Sequence, residues 1–146
     1  MKRFLSLVLC SFLVGMNAPN AHATVDDAHS LALELAAPQL QKGFKLREEF
    51  WKGNLKPGLE KRFQHQLFRG NEYWFWLGAD IDSAQISLKV LDMIGRSADV
   101  ETVVVKTASG VRVLPAKSGS YTIVITITEP KPVGAEISWA LAYGYR

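Results

Sequence analysis

Two periodicities divide this chain. Val25, Ala28, Leu31, Ala32 and Leu35 recur at helical spacing and would form one apolar stripe. Asp26 and Asp27 at the start of that stretch supply hydrogen-bond acceptors and negative charge where a helix begins. Pro38 interrupts the pattern and Gly43 offers a stop, so residues 26–42 read as one helix, or two short ones, standing outside the main body.

From about residue 45 the period falls to two. Strands are expected at Glu48–Asn54, Lys61–Phe68, Glu72–Ala79, Gln85–Leu91, Val100–Thr107, Val111–Leu114, Tyr121–Thr128 and Ile137–Tyr145. In the second, Phe63, His65 and Leu67 alternate with Gln64, Gln66 and Phe68. The turn signals between them are Lys56-Pro57-Gly58, Arg69-Gly70-Asn71, Asp80 to Ser83, Gly95 to Asp99, Ser109-Gly110, Lys117–Ser120 and Pro130–Gly134. Seven or eight short strands punctuated in this way predict an all-β fold, an antiparallel β-sandwich with an N-terminal helical arm. No internal repeat or low-complexity segment stands out.

Residues 67–80 run L-x-x-G-N-E-Y-W-F-W-L-G-A-D, residues 86–95 I-S-L-K-V-L-D-M-I-G, and residues 113–127 V-L-P-A-K-S-G-S-Y-T-I-V-I-T-I. This order resembles the bacterial pre-peptidase C-terminal domain and related collagen-binding-like modules. Those are jelly-roll sandwiches appended to secreted enzymes, and the resemblance spans about residues 48–146. It implies an accessory, non-catalytic role, with Tyr73, Phe75 and Leu77 facing the core. Two features depart from the pattern: no enzyme domain precedes the module, and the helical arm has no counterpart in it.

The first residues address the compartment. Lys2 and Arg3 precede an apolar run from Phe4 to Met16, and Ala21-His22-Ala23 carries the small residues that signal peptidase accepts. The expected division is a signal peptide over 1–23, the arm over 24–43 and the sandwich over 44–146, with export to the periplasm or beyond. Cys10 lacks the small preceding residue of a lipid attachment site, since Leu9 stands there, and it reads as an ordinary residue of the leader. Cutting after residue 23 leaves 123 residues and no cysteine, a length that can fold by burial alone.

The net charge of +3 includes Lys2 and Arg3, so the mature chain would carry +1. It is unevenly spread. Residues 24–41 hold three acids and no base, whereas residues 42–69 hold eight bases and three acids. That middle block is where an anionic partner would be drawn.

Four consecutive aromatics, Tyr73 to Trp76, pose the main functional question. With Tyr73 and Phe75 inward, Trp74 and Trp76 face out of the same sheet. Three readings stand: cover by the helical arm or a long loop, a sugar-stacking platform, or a protein–protein patch. Phe50 and Trp51 repeat the question within the basic block, beside Lys52, Lys56, Lys61, Arg62 and Arg69. Aromatics among bases can bind nucleic acid or an anionic envelope polymer, and such lysines also serve as the solvated face of an edge strand. The expected ligand-binding set is Trp74, Trp76, Trp51, Lys52 and Arg62, with an envelope or extracellular polysaccharide as the first candidate ligand. A second exported protein, such as a hydrolase that this chain inhibits or chaperones, is the alternative.

Asp80, Asp82 and Asp92 are the acids whose spacing suggests a calcium site, although each also fits a turn cap. Catalysis finds little support in the sequence. The expected mature chain has His29 and His65 but no cysteine, and Gly-x-Ser-x-Gly is absent. Glu48 and Glu49 are adjacent and would point to opposite faces of a strand. No phosphate loop or dinucleotide fingerprint occurs, so no organic cofactor is expected. A hydrolase assembled without a local motif is the third reading.

Overall fold

The computed structural model describes residues 24–81, 83–128 and 135–146. The expected leader, Asp82 and the Pro130–Gly134 loop therefore lie outside the described residues. Those described form one helix and nine strands, an antiparallel β-sandwich with the helix at its N-terminal side.

Helix α1 (Val25–Gln41) starts at Thr24, whose hydroxyl oxygen accepts from the Asp27 amide at 3.1 Å. It ends where Gly43 takes φ +95°, which suits a residue without a side chain just past a helix. The helix runs unbroken through Pro38, so the two-piece alternative does not occur. Proline removes one backbone donor there, and the carbonyl left over belongs to Glu34 on the exposed side.

The strands are β1 (Lys45–Leu46), β2 (Trp51–Leu55), β3 (Glu60–Leu67), β4 (Tyr73–Ala79), β5 (Gln85–Leu91), β6 (Asp99–Val105), β7 (Ala108–Val113), β8 (Gly119–Thr128) and β9 (Ile137–Tyr145). Six form the larger sheet, in the order β1, β9, β4, β7, β6, with β2 also on β9. Three form the smaller one, in the order β3, β8, β5. The expected first strand, Glu48–Asn54, begins only at Trp51, as β2; the short β1 precedes it, and both pair with β9.

Alternation sets the core. Tyr73, Phe75 and Leu77 from β4, Val111 and Val113 from β7, and Leu141 and Tyr143 from β9 point from the larger sheet toward Ile123, Ile125 and Ile127 of β8. Ile86, Leu88 and Val90 of β5 and Leu67 of β3 complete that layer. Outward positions of β3 and β8 are polar apart from Val124, with Gln64 beside Thr122 and Gln66 beside Ser120.

One turn falls elsewhere than expected. Ser109 and Gly110 lie inside β7, opposite Leu77 and Trp76, and the β6–β7 reversal is made by Lys106 and Thr107. Lys106 takes φ +52° to close it. Gly110 serves packing: a Cβ there would stand 3.2 Å from Trp76 Cδ1 and 3.4 Å from Leu35 Cδ2.

Candidate functional site

The outward face of the larger sheet is not open. Trp74 and Trp76 are only 2% and 0% exposed, because α1 lies across them. Their rings stack in parallel, 6.3 Å between centroids with an interplanar angle of 2°. Around them the sheet presents little side chain: Gly78 from β4, Gly110 from β7, and Ala142 and Gly144 from β9. The helix answers with Ala28, Ala32 and Ala36, one residue every four, all fully buried. Small residues on both sides let the backbones approach, and the two indoles fill the space that remains. The Trp76 indole N–H is buried with no hydrogen-bond partner among the described residues.

The arm is thus part of the body, which corrects the expectation of a helix standing apart. The tryptophans form a second core, which removes the sugar platform from this surface. The expected stripe does face the sheet: Ala28 and Ala32 are fully buried and Val25, Leu31 and Leu35 half-buried, while Ala36 extends the buried ridge by one more turn.

The other members of the expected ligand set are scattered. Trp51 turns inward at the sandwich margin, 4.9 Å from Phe63, 5.1 Å from His65 and 5.4 Å from Tyr143 between ring centroids. Lys52 lies on the helix side, its Nζ 5.5 Å from the centre of the Phe50 ring, which stacks on His29 at 3.8 Å. Arg62 is on the outer face of the smaller sheet, in an ion pair with Glu60. No common ligand reaches all five residues.

The expected calcium ligands do not converge either. Asp80 follows β4 at one end of the sandwich, and its Oδ2 accepts from the Thr24 amide at 2.7 Å. Asp92 follows β5 at the other end, where it caps its own loop by accepting from the Ile94 and Arg96 amides at 3.0 and 2.9 Å. The seven residues of β5 put roughly 20 Å between the two carboxylates at about 3.3 Å per residue. Among the described residues, no cluster of three or more His, Cys, Asp or Glu side chains is placed to hold a metal.

A different region gathers unsatisfied surface. At the sandwich end that carries Asp92, the β5–β6 and β7–β8 connections bring Met93, Ile94 and Leu114 together around a cavity of about 260 Å³. Ile94 is 71% exposed, a large fraction for an aliphatic side chain. Met93 lies over Gly119, whose missing side chain leaves room for its sulfur. The β3–β4 connection adjoins this rim, held by a hydrogen bond from the Arg69 amide to Ser118 Oγ at 2.9 Å. Arg96 pairs with Asp92 at 3.2 Å, whereas Arg69 and Lys117 have no ion-pair partner among the described residues. The rim is apolar with a positive margin.

From the rim the chain crosses into β6. The Asp99 carboxylate accepts from the Val90 amide at 2.8 Å, carrying the backbone from the smaller sheet to the larger. Burial raises the Asp99 pKa, and the bond from Val90 opposes that shift. Among the described residues β6 pairs only with β7, so its other edge is free. Val100, Val104 and Val105 are half exposed along it. Val104 shares the core-side face with Ser109 and Leu77, yet the three-stranded sheet is too narrow to cover it. The register also shifts between Asp99 and Glu101.

The composition of β6 could have revealed this surface in the sequence. Val100 to Val105 contains four valines and no basic residue, unusual chemistry for a free edge. No protein-family model matches the chain, and none of the curated proteins matches it.

Proposed function

We propose that this chain is an exported, non-catalytic module that binds another protein through the apolar rim and the free edge of β6. The observation that carries the reading is the edge of β6, unpaired among the described residues, which begins at Asp99 beside the rim of Met93, Ile94 and Leu114 and exposes Val100, Val104 and Val105 as it runs away from it. Such an edge offers a row of backbone donors and acceptors to an extended segment, and side-chain pockets then select its sequence. The cavity of about 260 Å³ is below the range of about 300–1,000 Å³ typical of small-molecule sites. It suits one anchoring side chain instead.

The partner best matched is an extended, β-branched segment flanked by acidic residues, since Arg69 and Lys117 border the rim without partners of their own. Burial of Trp74 and Trp76 weighs against the polysaccharide reading. The likeness to pre-peptidase C-terminal modules adds only the accessory character that it implies.

The test uses immobilised ten-residue peptides of alternating valine or isoleucine, flanked by aspartate, flanked by lysine, or interrupted by proline. Retention of the acid-flanked set, weakened by salt and lost in Val104→Lys and Ile94→Asp, is the expected result. Equal retention of the proline-interrupted set, or retention on insoluble peptidoglycan instead of peptides, overturns the reading.

A further inference from the structure

We infer that cleavage between Ala23 and Thr24 creates an α-ammonium that Asp80 receives, so that processing of the leader fastens α1 over the tryptophans. The sequence places small residues at 21 and 23. The structure places the nitrogen that such a cut would free 2.7 Å from Asp80 Oδ2, across 56 positions of chain. Nothing in a cleavage motif requires the next residue to meet a carboxylate from another element.

The surroundings suit a cation. Thr24 keeps its capping role through the side chain alone: Oγ1 accepts from the Asp27 amide at 3.1 Å and donates to Asp27 Oδ2 at 2.6 Å. Its backbone nitrogen is therefore committed to Asp80 and is not needed for the cap. A positive charge at a helix start opposes the helix dipole. Here Asp27 and Asp80 both reach Thr24, and residues 24–41 contain no base to compete for them. Asp80 is itself held in place, its amide donating to the Ser138 carbonyl at 3.1 Å.

The step is a peptide-bond hydrolysis by a signal peptidase. Water adds across the bond, the leader departs with the Ala23 carboxylate, and the Thr24 nitrogen takes up a proton. Before the cut, Asp80 holds a neutral amide N–H. Afterwards it holds an ammonium, and the bond becomes charge-assisted. The pair is exposed, so the gain is modest: roughly two- to fivefold in the folding constant, the range of exposed ion pairs.

The full 146-residue chain is exported from a bacterial host, and its processed form is purified and weighed by intact mass spectrometry. The expected mass begins at Thr24. The α-amine is then acetylated selectively near pH 6.5, and folding constants are measured by urea unfolding for wild type and D80N. Acetylation removes the charge and restores an amide with one N–H and a small acyl group, as the uncut chain has. It should lower the wild-type constant two- to fivefold and leave that of D80N unchanged. A chain beginning elsewhere, or an equal acetylation effect in both proteins, overturns the inference. The wild-type comparison alone decides the charge effect if D80N fails to fold.

Discussion

Gly78 of β4 lies directly beneath the Ala28 carbonyl of α1, so close that a Cβ on Gly78 would overlap that oxygen and stand 2.8 Å from the Ala32 amide nitrogen. Backbone is touching backbone here, and neither side can yield by turning a rotamer. Gly78→Ala should lift the helix from the sheet and cost about 1–3 kcal/mol, as overpacking generally does. Thermal unfolding gives the loss. Red-shifted indole emission and faster acrylamide quenching would show that Trp74 and Trp76 have become wet. Unchanged emission with unchanged stability would mean that the helix does not sit as described.

His65 makes stability fall in mild acid. Its ring lies 5.1 Å from Trp51 and 4.7 Å from Tyr143, and burial pushes its pKa below the ordinary value. Glu49 opposes that shift and Arg47 adds to it. A histidine with a depressed folded pKa favours folding while neutral, above its unfolded value of about 6.5. As pH falls below that value the unfolded chain takes up the proton first, and stability drops until the folded ring titrates too. His29 is shifted down by burial as well and acts in the same direction. The melting temperature should therefore decline from pH 7 toward pH 5, with a shallower slope in His65→Phe. Parallel slopes would assign the decline to other groups.

Glu72 holds two guanidinium groups, and one of them, Arg146, also reaches the end of α1 by donating from Nη1 to the Lys42 carbonyl at 3.1 Å. Glu72 accepts from Arg112 Nη1 at 2.9 Å and from Arg146 Nε at 2.8 Å. Desolvation pulls its pKa up, but the two guanidinium hydrogen bonds outweigh this and hold it below the usual range. Glu72→Gln keeps the shape and removes the charge, and should cost about 1 kcal/mol, at the upper end for partly exposed pairs. The lowered pKa means that the contribution is present above the unfolded value of about 4.3 and fades as pH falls through the folded value. Wild type and variant should thus converge in stability near pH 3. A constant gap down to that pH would point to packing rather than charge.

Period-two alternation in β3, β5 and β8 was legible in the sequence because each has one face against the core, whereas β4 and β9, buried on both faces, read as nearly continuous apolar runs. Gln85–Leu91 and Ile137–Tyr145 occur with the expected bounds. The β7 boundary was hidden because Ser109-Gly110 has turn chemistry while serving as clearance for Trp76. The candidate site was less legible for a related reason. Exposure depends on which sheet is wider, and the overhang of β6 beyond a three-stranded neighbour is a tertiary fact. Aromatic residues drew attention to Trp74 and Trp76, yet a run of glycines and alanines scattered over β4, β7, β9 and α1 decides their burial.

The free edge itself should govern self-association. β6 carries its charge only at its first residues, Asp99 and Glu101, and ends in Val103 to Val105, so concentrated protein is expected to pair edge to edge along that second half. Val104→Lys leaves the core untouched, because Val104 is half exposed and covered by no facing strand. Its effect on folding stability should stay within about 0.5 kcal/mol. Light scattering at rising concentration should then show less association for the variant than for wild type. Equal scattering would mean that the edge is already blunted by the register shift at Asp99 and Glu101.

Tyr73 connects the fold to the rim. Its ring belongs to the core, while its hydroxyl oxygen accepts from the Phe68 amide at 3.1 Å and from Asn71 Nδ2 at 3.2 Å. Both donors lie in the β3–β4 connection, so one side chain ties that loop to the strand that follows it. Tyr73→Phe preserves the apolar contacts and removes the acceptor for two donors at once. A part-buried amide left without a partner costs about 1–3 kcal/mol, and partial exposure of this loop favours the lower end. The local consequence is the more specific one. Hydrogen exchange at the Phe68 amide should accelerate by more than the global loss of stability explains, while amides in the centre of β8 follow the global change alone. If Phe68 exchanges no faster than those amides do, the loop is held by the Arg69–Ser118 bond instead of by Tyr73.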